Sequence, residues 1–480
     1  GTNETGVGYA TFTINLPSVG GSTTSGARGT RAADDGGAEV DEGTADEYKV
    51  SDATALIFQK YGADEGSYKF VESVNLPVTA TDWEDDTEAG ITTKSKKLVA
   101  KLTNVDTKNT YGVLVLLNNK ASSGGVKIKL PTAGQSYNEW NNEAQSPNLT
   151  ELTKADNFYM ANAPLNESGS VTTLVKIDKN NIYATEAEAK ANSSANVYVE
   201  RGVAKMSVAD PATKTVVDKA TPTVTTQSTV TFNNWALDIT NKKTYAVHNI
   251  DGLKSDFDDI WKTDRFIGTN SRVYWGKDPN YNMDDLKKNN ATDDSKRGEE
   301  FNFITATSEI NKAFTESAYC LENTFNLANM YQGQTTRVIF KATYAPKNDA
   351  GKSLAEEDGT FYTIGNMTTI LKKADLETAV NTAATSVLPG CTVNYANLET
   401  EGSHVITLED IKDGTSGAVL EAATTYGTKT GEQIVKEINE KLGLTDGAGR
   451  PEAMVGINTY LNGVTYYIAR VKHFGSLTPW

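Results

Sequence analysis

Catalysis or metal binding in this chain would have to be built from three histidines, two cysteines and a scatter of acidic clusters. His248, His404 and His473 are far apart, and no H-E-x-x-H or C-x-x-C pattern gives any of them a partner at metal-ligand spacing. His404 precedes the alternating run Val405-Ile406-Thr407-Leu408 and His473 falls within a strand pattern, so these read as structural histidines. A serine nucleophile is normally presented by a G-x-S-x-G elbow, and none is present. Gly351-Lys352-Ser353 resembles the end of a phosphate-binding loop, but Pro346 stands where its first glycine belongs. The acidic run Asp82-Trp83-Glu84-Asp85-Asp86-Thr87-Glu88 offers oxygen ligands without the calcium-loop spacing, and reads as a solvated acidic loop. Carboxylate pairs for glycoside hydrolysis cannot be picked from 62 acidic residues by spacing. Trp140, Trp261 and Trp275 would serve either as sugar-stacking platforms or as plugs at sheet edges. No residue earns a catalytic role, no cofactor or metal is implied, and a non-enzymatic protein is expected.

The elements that would have to position any site are mainly strands. Near the N-terminus Ala10, Phe12, Ile14 and Leu16 fall on one face, and Tyr9, Thr11, Thr13 and Asn15 on the other, before Pro17 ends the pattern. Further strands are predicted over Ala55–Lys60, Lys97–Leu102, Val113–Leu117 and Val126–Leu130. Others are predicted over Val197–Val208, Thr229–Ile239, Arg337–Tyr344, Gly359–Ile364 and Val464–Phe474. The run Val113–Leu117 is apolar on both faces and predicts a central, covered strand. Helices are predicted over Glu432–Leu442, with Ile434, Val435, Ile438 and Leu442 on one stripe, and over Ala374–Leu388. Many strands with few helices indicate a mostly β chain of two β-sandwiches. At 480 residues two domains are expected, 1–195 and 196–480, with the boundary in the polar stretch Ala189–Asn196.

A formal charge of −16 argues against nucleic acid and anionic membrane surfaces as partners. The same charge keeps free monomers apart. Cys320 and Cys391 are too few for a disulfide framework; they form one bridge or two separately buried thiols. The chain opens on Gly1 rather than Met, as expected after removal of an export signal, and no apolar run reaches bilayer-spanning length.

Residues Ser18–Glu47 are almost devoid of large apolar side chains and rich in Gly, Ser, Thr, Asp and Glu, which predicts a mobile loop. Within it Arg28 and Arg31 are flanked by small residues, Gly26-Ala27-Arg28-Gly29-Thr30-Arg31-Ala32-Ala33. Exposed basic residues in such a loop are ready targets for a trypsin-like protease.

Four segments carry a family resemblance: Val199–Val208, Trp235–Lys242, Thr335–Tyr344 and Tyr466–Gly475, the last extended by Leu477-Thr478-Pro479-Trp480. Together they resemble the stalk fimbrillins of Bacteroidales type V pili, particularly the minor-fimbria branch known from Porphyromonas. The resemblance runs from about residue 197 to the end; the N-terminal half matches in layout more than in letters. It implies two transthyretin-like β-sandwich domains, export as a lipoprotein precursor through the outer membrane, and a place in a cell-surface fimbrium that supports adhesion. Membrane attachment would then lie only in a lipidated N-terminus that is later removed. It further implies that an arginine-specific or trypsin-like protease cuts after an arginine following the first strand, here Arg31 or, second, Arg28. The strand carrying Ala10, Phe12, Ile14 and Leu16 would then leave its groove, and a strand from another copy or an accessory pilus subunit would enter it. Family members continue beyond the Leu477–Trp480 region into a segment that can donate that strand, so the donor is not identified in Gly1–Trp480. The competing expectation is a secreted glycan-binding β-sandwich lipoprotein, and a third is a secreted glycoside hydrolase.

Overall fold

A computed structural model describes residues 1–16, 43–78, 83–88, 91–167, 170–192, 195–252, 276–281, 294–324, 334–444 and 456–471. Within these residues the chain is mostly β with a few short helices. The first sheet is built from β1 (Gly8–Asn15), β2 (Ala53–Gln59), β3 (Lys69–Leu76), β4 (Glu84–Glu88), β5 (Ile91–Leu102), β6 (Tyr111–Leu117) and β7 (Met160–Asn162). A small hairpin, β8 (Leu165–Glu167) and β9 (Ser170–Thr172), precedes β10 (Val175–Ile177) and β11 (Ala195–Arg201), which also join that sheet. The spatial order is β3-β2-β6-β7-β11-β1-β5-β4, with β10 pairing on β6. The expected domain junction, Ala189–Asn196, carries the end of helix α4 (Glu186–Ala191) and the first residues of β11.

Strands β2 and β6 are apolar on both faces because each face lies against a different core. Ala53, Ala55, Ile57, Val113, Val115 and Leu117 enter one core with Ala10, Phe12, Ile14 and Leu16. Leu56, Phe58, Leu114 and Leu116 enter a second, capped by Tyr137 and Trp140 of α2 (Tyr137–Asn141). The sheet curls round the first core until the Glu72 carboxylate of β3 accepts from the amides of Thr103 (3.1 Å) and Asn104 (2.9 Å), just past β5.

The chain then forms β12 (Ala204–Ser207), β13 (Thr213–Val217) and β14 (Thr225–Asp238), followed by β15 (Thr240–Asn241), β16 (Phe301–Asn302), β17 (Ser317–Cys320) and β18 (Arg337–Ala345). The C-terminal part contains β19 (Phe361–Ile364), β20 (Thr392–Val393), β21 (Gly402–His404), β22 (Ile411–Lys412), β23 (Thr425–Tyr426), β24 (Lys429–Thr430), β25 (Ile457–Tyr460) and β26 (Val464–Arg470). A four-stranded sheet runs β13-β14-β18-β26, and a three-stranded sheet runs β19-β25-β21. Beyond the short helices α3 (Leu149–Leu152) and α5 (Asp294–Glu300), helices α6 (Lys373–Val387) and α7 (Gly431–Lys441) pack Leu376, Val380, Ile434 and Ile438 into a third core with Ile364 and Ile457. Both lie within one residue of their predicted bounds.

Two predicted strands differ from what is seen. Val197–Val208 is two strands, β11 and β12, broken at Gly202, where a side chain would press on the Tyr159 ring, its Cβ 2.8 Å from Cδ1. Val126–Leu130 is not a strand: the Asn119 side chain takes up the Ile128 backbone, accepting from its amide (2.9 Å) and donating to its carbonyl (3.0 Å).

Candidate functional site: the slot of the first strand

The alternation of β1 puts Ala10, Phe12, Ile14 and Leu16 into the first core, each at most 1% exposed. The strand is interior. It pairs antiparallel with β5 from Gly8↔Leu102 to Asn15↔Ser95, and parallel with β11 from Phe12↔Ala195 to Asn15↔Tyr198. Its outer face is also covered. Helix α4 lies across β1 and β5, the Thr11 hydroxyl donates to the Ala189 carbonyl (2.7 Å), and Asn15 Nδ2 donates to the Val197 carbonyl (3.4 Å). Lys97 of β5 fixes the helix end by donating to the carbonyls of Lys190 (3.0 Å) and Asn192 (2.8 Å). Removing β1 would therefore open a slot between two ladders and uncover Leu98, Ala100, Leu102, Val197 and Val199.

The chain leaves this slot and returns to it at one place. The Leu16 amide donates to the Lys94 carbonyl (2.9 Å), and the Lys94 ammonium donates to the Tyr48 hydroxyl (2.8 Å) while standing 4.0 Å above the Tyr48 ring. Tyr48 ends α1 (Ala45–Tyr48), so one lysine of β5 joins the end of the first strand to the helix that precedes β2. Arg28 and Arg31 lie outside the described residues.

The last residues of the predicted loop, up to Glu47, are instead ordered in α1. A capping box joins Thr44 and Glu47, and Glu47, 2% exposed, accepts from the Thr44 amide (2.8 Å), Lys205 Nζ (3.0 Å) and the Tyr319 hydroxyl (2.7 Å). Burial opposes its charge, but these donors outweigh it and bring the carboxyl down to about 2. Sequence reasoning missed this anchor, although Thr44-Ala45-Asp46-Glu47 has the capping-box spacing. Its partners Lys205 and Tyr319, in β12 and β17, are too distant in sequence for any local pattern to mark them.

No family model and no curated protein matches this chain. Among solved structures it is similar to a fimbrial assembly protein from Parabacteroides distasonis ATCC 8503. The identity is 12%, the TM-score 0.31, and the match covers 75% of this chain and 93% of that one.

The other residues singled out from the sequence do not converge on the slot. His404, in β21, faces the Thr400 carbonyl from Nε2 at 3.1 Å, and His473 lies outside the described residues. His248 sits not in a strand but in a loop, its Nδ1 2.7 Å from Glu200 Oε1 and its Nε2 3.7 Å from Glu322 Oε1. These groups border a cavity of about 550 Å³ beside β11, β12 and β17. Nearby, burial pushes the Asp278 carboxyl up to about 7, against hydrogen bonds from Asn280, Asn241 and the Thr324 amide. Among the described residues no His, Cys, Asp and Glu group has metal-binding geometry.

Cys320 and Cys391 are free buried thiols, one in β17 and one in the third core, so the bridged alternative is not what the fold forms. Burial raises both, Cys320 to about 11. Trp140 is not a sugar platform: it is fully buried, and its indole donates to the Lys129 carbonyl (2.8 Å). Trp261 and Trp275 lie outside the described residues. Most of the acidic run, Glu84–Glu88, is strand β4 at the sheet edge rather than a loop, because the long strand β5 folds back on it from Ile91.

Proposed function

We propose that this chain is a structural subunit of a bacterial surface pilus, polymerised by replacing its first strand with one from a neighbouring subunit. The observation that carries the reading is that β1 is an interior strand whose connection to the rest of the fold runs through residues 17–42, which include Arg28 and Arg31. An arginine-specific or trypsin-like protease cuts after Arg31 or Arg28. While the loop is whole, β1 is held at high effective concentration and a free competitor cannot displace it. Once the loop is cut, departure of β1 leaves a groove with unpaired backbone on both sides, and an extended segment restores those bonds by β-augmentation. One strand replaces another, so the exchange is nearly balanced and proteolysis gives it direction.

The fimbrillin-like segments support the same reading. Trp235–Lys242, Thr335–Tyr344 and the described part of Tyr466–Gly475 fall largely on β14, β18 and β26, neighbours in one sheet though far apart in the chain. Export as a lipoprotein precursor, assembly with accessory subunits and adhesion belong to this proposal. Limited digestion of the monomer with trypsin is the test. Mass spectrometry should show loss of a fragment ending at Arg28 or Arg31, and unheated gels should then show denaturant-resistant ladders. Clean clipping that leaves a persistent monomer would overturn the proposal, and an Arg28→Ala, Arg31→Ala double variant should neither clip there nor form ladders.

A further inference from the structure

We infer that the slot accepts an incoming strand in one direction and does not let it slip toward the narrow end, and that Ile182 sets both limits by admitting only glycine at the position of Gly8. The inference rests on the strand-replacement reading above.

The period of a strand forbids some misalignments but not all. A slip by one residue turns every apolar side chain to the wrong face, whereas a slip by two keeps the faces and changes only which side chain meets which pocket. Something other than alternation must therefore fix the register. Along β1 the core-facing side of the slot grows from one end to the other. At its start, Gly8 is buried, and a Cβ built there would overlap Cγ2 of Ile182, which is itself 1% exposed. Next comes Ala10, opposite Ala100 of β5, both at most 1% exposed. Only then does the slot take large side chains, with Phe12 opposite Leu98, followed by Ile14 and Leu16.

A strand slipped by two toward the narrow end would place Ala10 or its equivalent against Ile182. A strand inserted backwards would bring a large side chain there. Both overlap a side chain that is packed in place, and overpacking of that kind is costly. The outer face adds a second contact, the Thr11 hydroxyl donating to the Ala189 carbonyl of α4 (2.7 Å). The partner is thus an extended segment of another chain, running parallel to β11 and antiparallel to β5. It reads glycine, any, alanine, a hydroxyl donor, then alternating large apolar residues.

The test uses full-length protein clipped at Arg28 or Arg31 and a fluorescent peptide of residues 7–17. Unlabelled peptide of the same sequence should compete with it. The peptide carrying Gly8→Val should compete roughly tenfold or more weakly, within the range that an overpacked methyl costs. Protein carrying Ile182→Ala, clipped in the same way, should take the Gly8→Val peptide about as well as the unaltered one. Equal competition by the native and Gly8→Val peptides on unaltered protein overturns the register inference and leaves strand replacement intact. Failure of the native peptide to compete at all overturns strand replacement itself. Neither outcome depends on the Ile182 variant folding, since the peptide substitutions leave the protein untouched.

Discussion

Glu47 fastens the chain just after residues 17–42, where the proposed cut falls, and its charge does so in a pH-dependent way. At pH 7 the carboxylate is ionised in both folded and unfolded chains. As pH falls below the ordinary value of 4.5 the unfolded chain takes up a proton that the folded chain resists until about 2. A depressed acid therefore stabilises fully above that window and progressively less within it as pH falls. Glu47→Gln keeps the shape and removes the charge that Lys205 and Tyr319 address, so it should cost about 2 kcal/mol at pH 7 in urea unfolding. Near pH 2 the variant and the parent should differ little. An unchanged difference across that range would show that Glu47 acts by shape and not by charge. The anchor matters for function because after a cut at Arg31 it would hold the new terminus on the body while β1 is released.

At the scale of elements, β1 should be strongly held until it is severed from the body. Burying Phe12, Ile14 and Leu16 contributes on the order of 5–9 kcal/mol before ordering costs, at about 1.5–3 kcal/mol each. Phe12→Ala should lower the unfolding free energy by about 3–5 kcal/mol, whereas Lys101→Ala on the solvent side of β5 should change it by less than about 0.5 kcal/mol. The same Phe12→Ala chain, once clipped, should shed its strand faster and form ladders with a shorter lag. A small stability loss would mean that the slot closes over the missing ring. Much of this was legible in the letters: the alternation of β1, the doubly apolar β6, and the helical stripe of α7 all follow from side-chain periodicity. What periodicity cannot carry is who pairs with whom. The parallel partnership of β1 with β11 joins Phe12 to Ala195, and the lysine that bridges the loop ends comes from a third strand. Nor does it show where a side-chain amide will replace a ladder, as Asn119 does at Ile128. Gly8 reads as an ordinary strand entry until Ile182 stands over it.

For the whole molecule, the covalent connection through residues 17–42 decides whether strand binding is unimolecular or bimolecular. In the intact chain β1 and its slot are one molecule, so their association is independent of protein concentration. Cutting the loop turns the same contacts into a complex of two chains, stabilised only as far as mass action allows. The melting temperature of the uncut monomer should therefore be constant on dilution. That of the clipped monomer, isolated by size exclusion before ladders form, should fall as it is diluted, and added peptide of residues 7–17 should restore it. The negative charge of −16 acts in the same direction at long range, since like-charged bodies approach slowly at low salt. Ladder formation by clipped chains should accordingly quicken as ionic strength rises from low to physiological values. The discriminating measurement is the dilution series. If clipped and intact chains melt alike at every concentration, β1 is retained by contacts outside the loop, and cutting that loop is not what frees the slot.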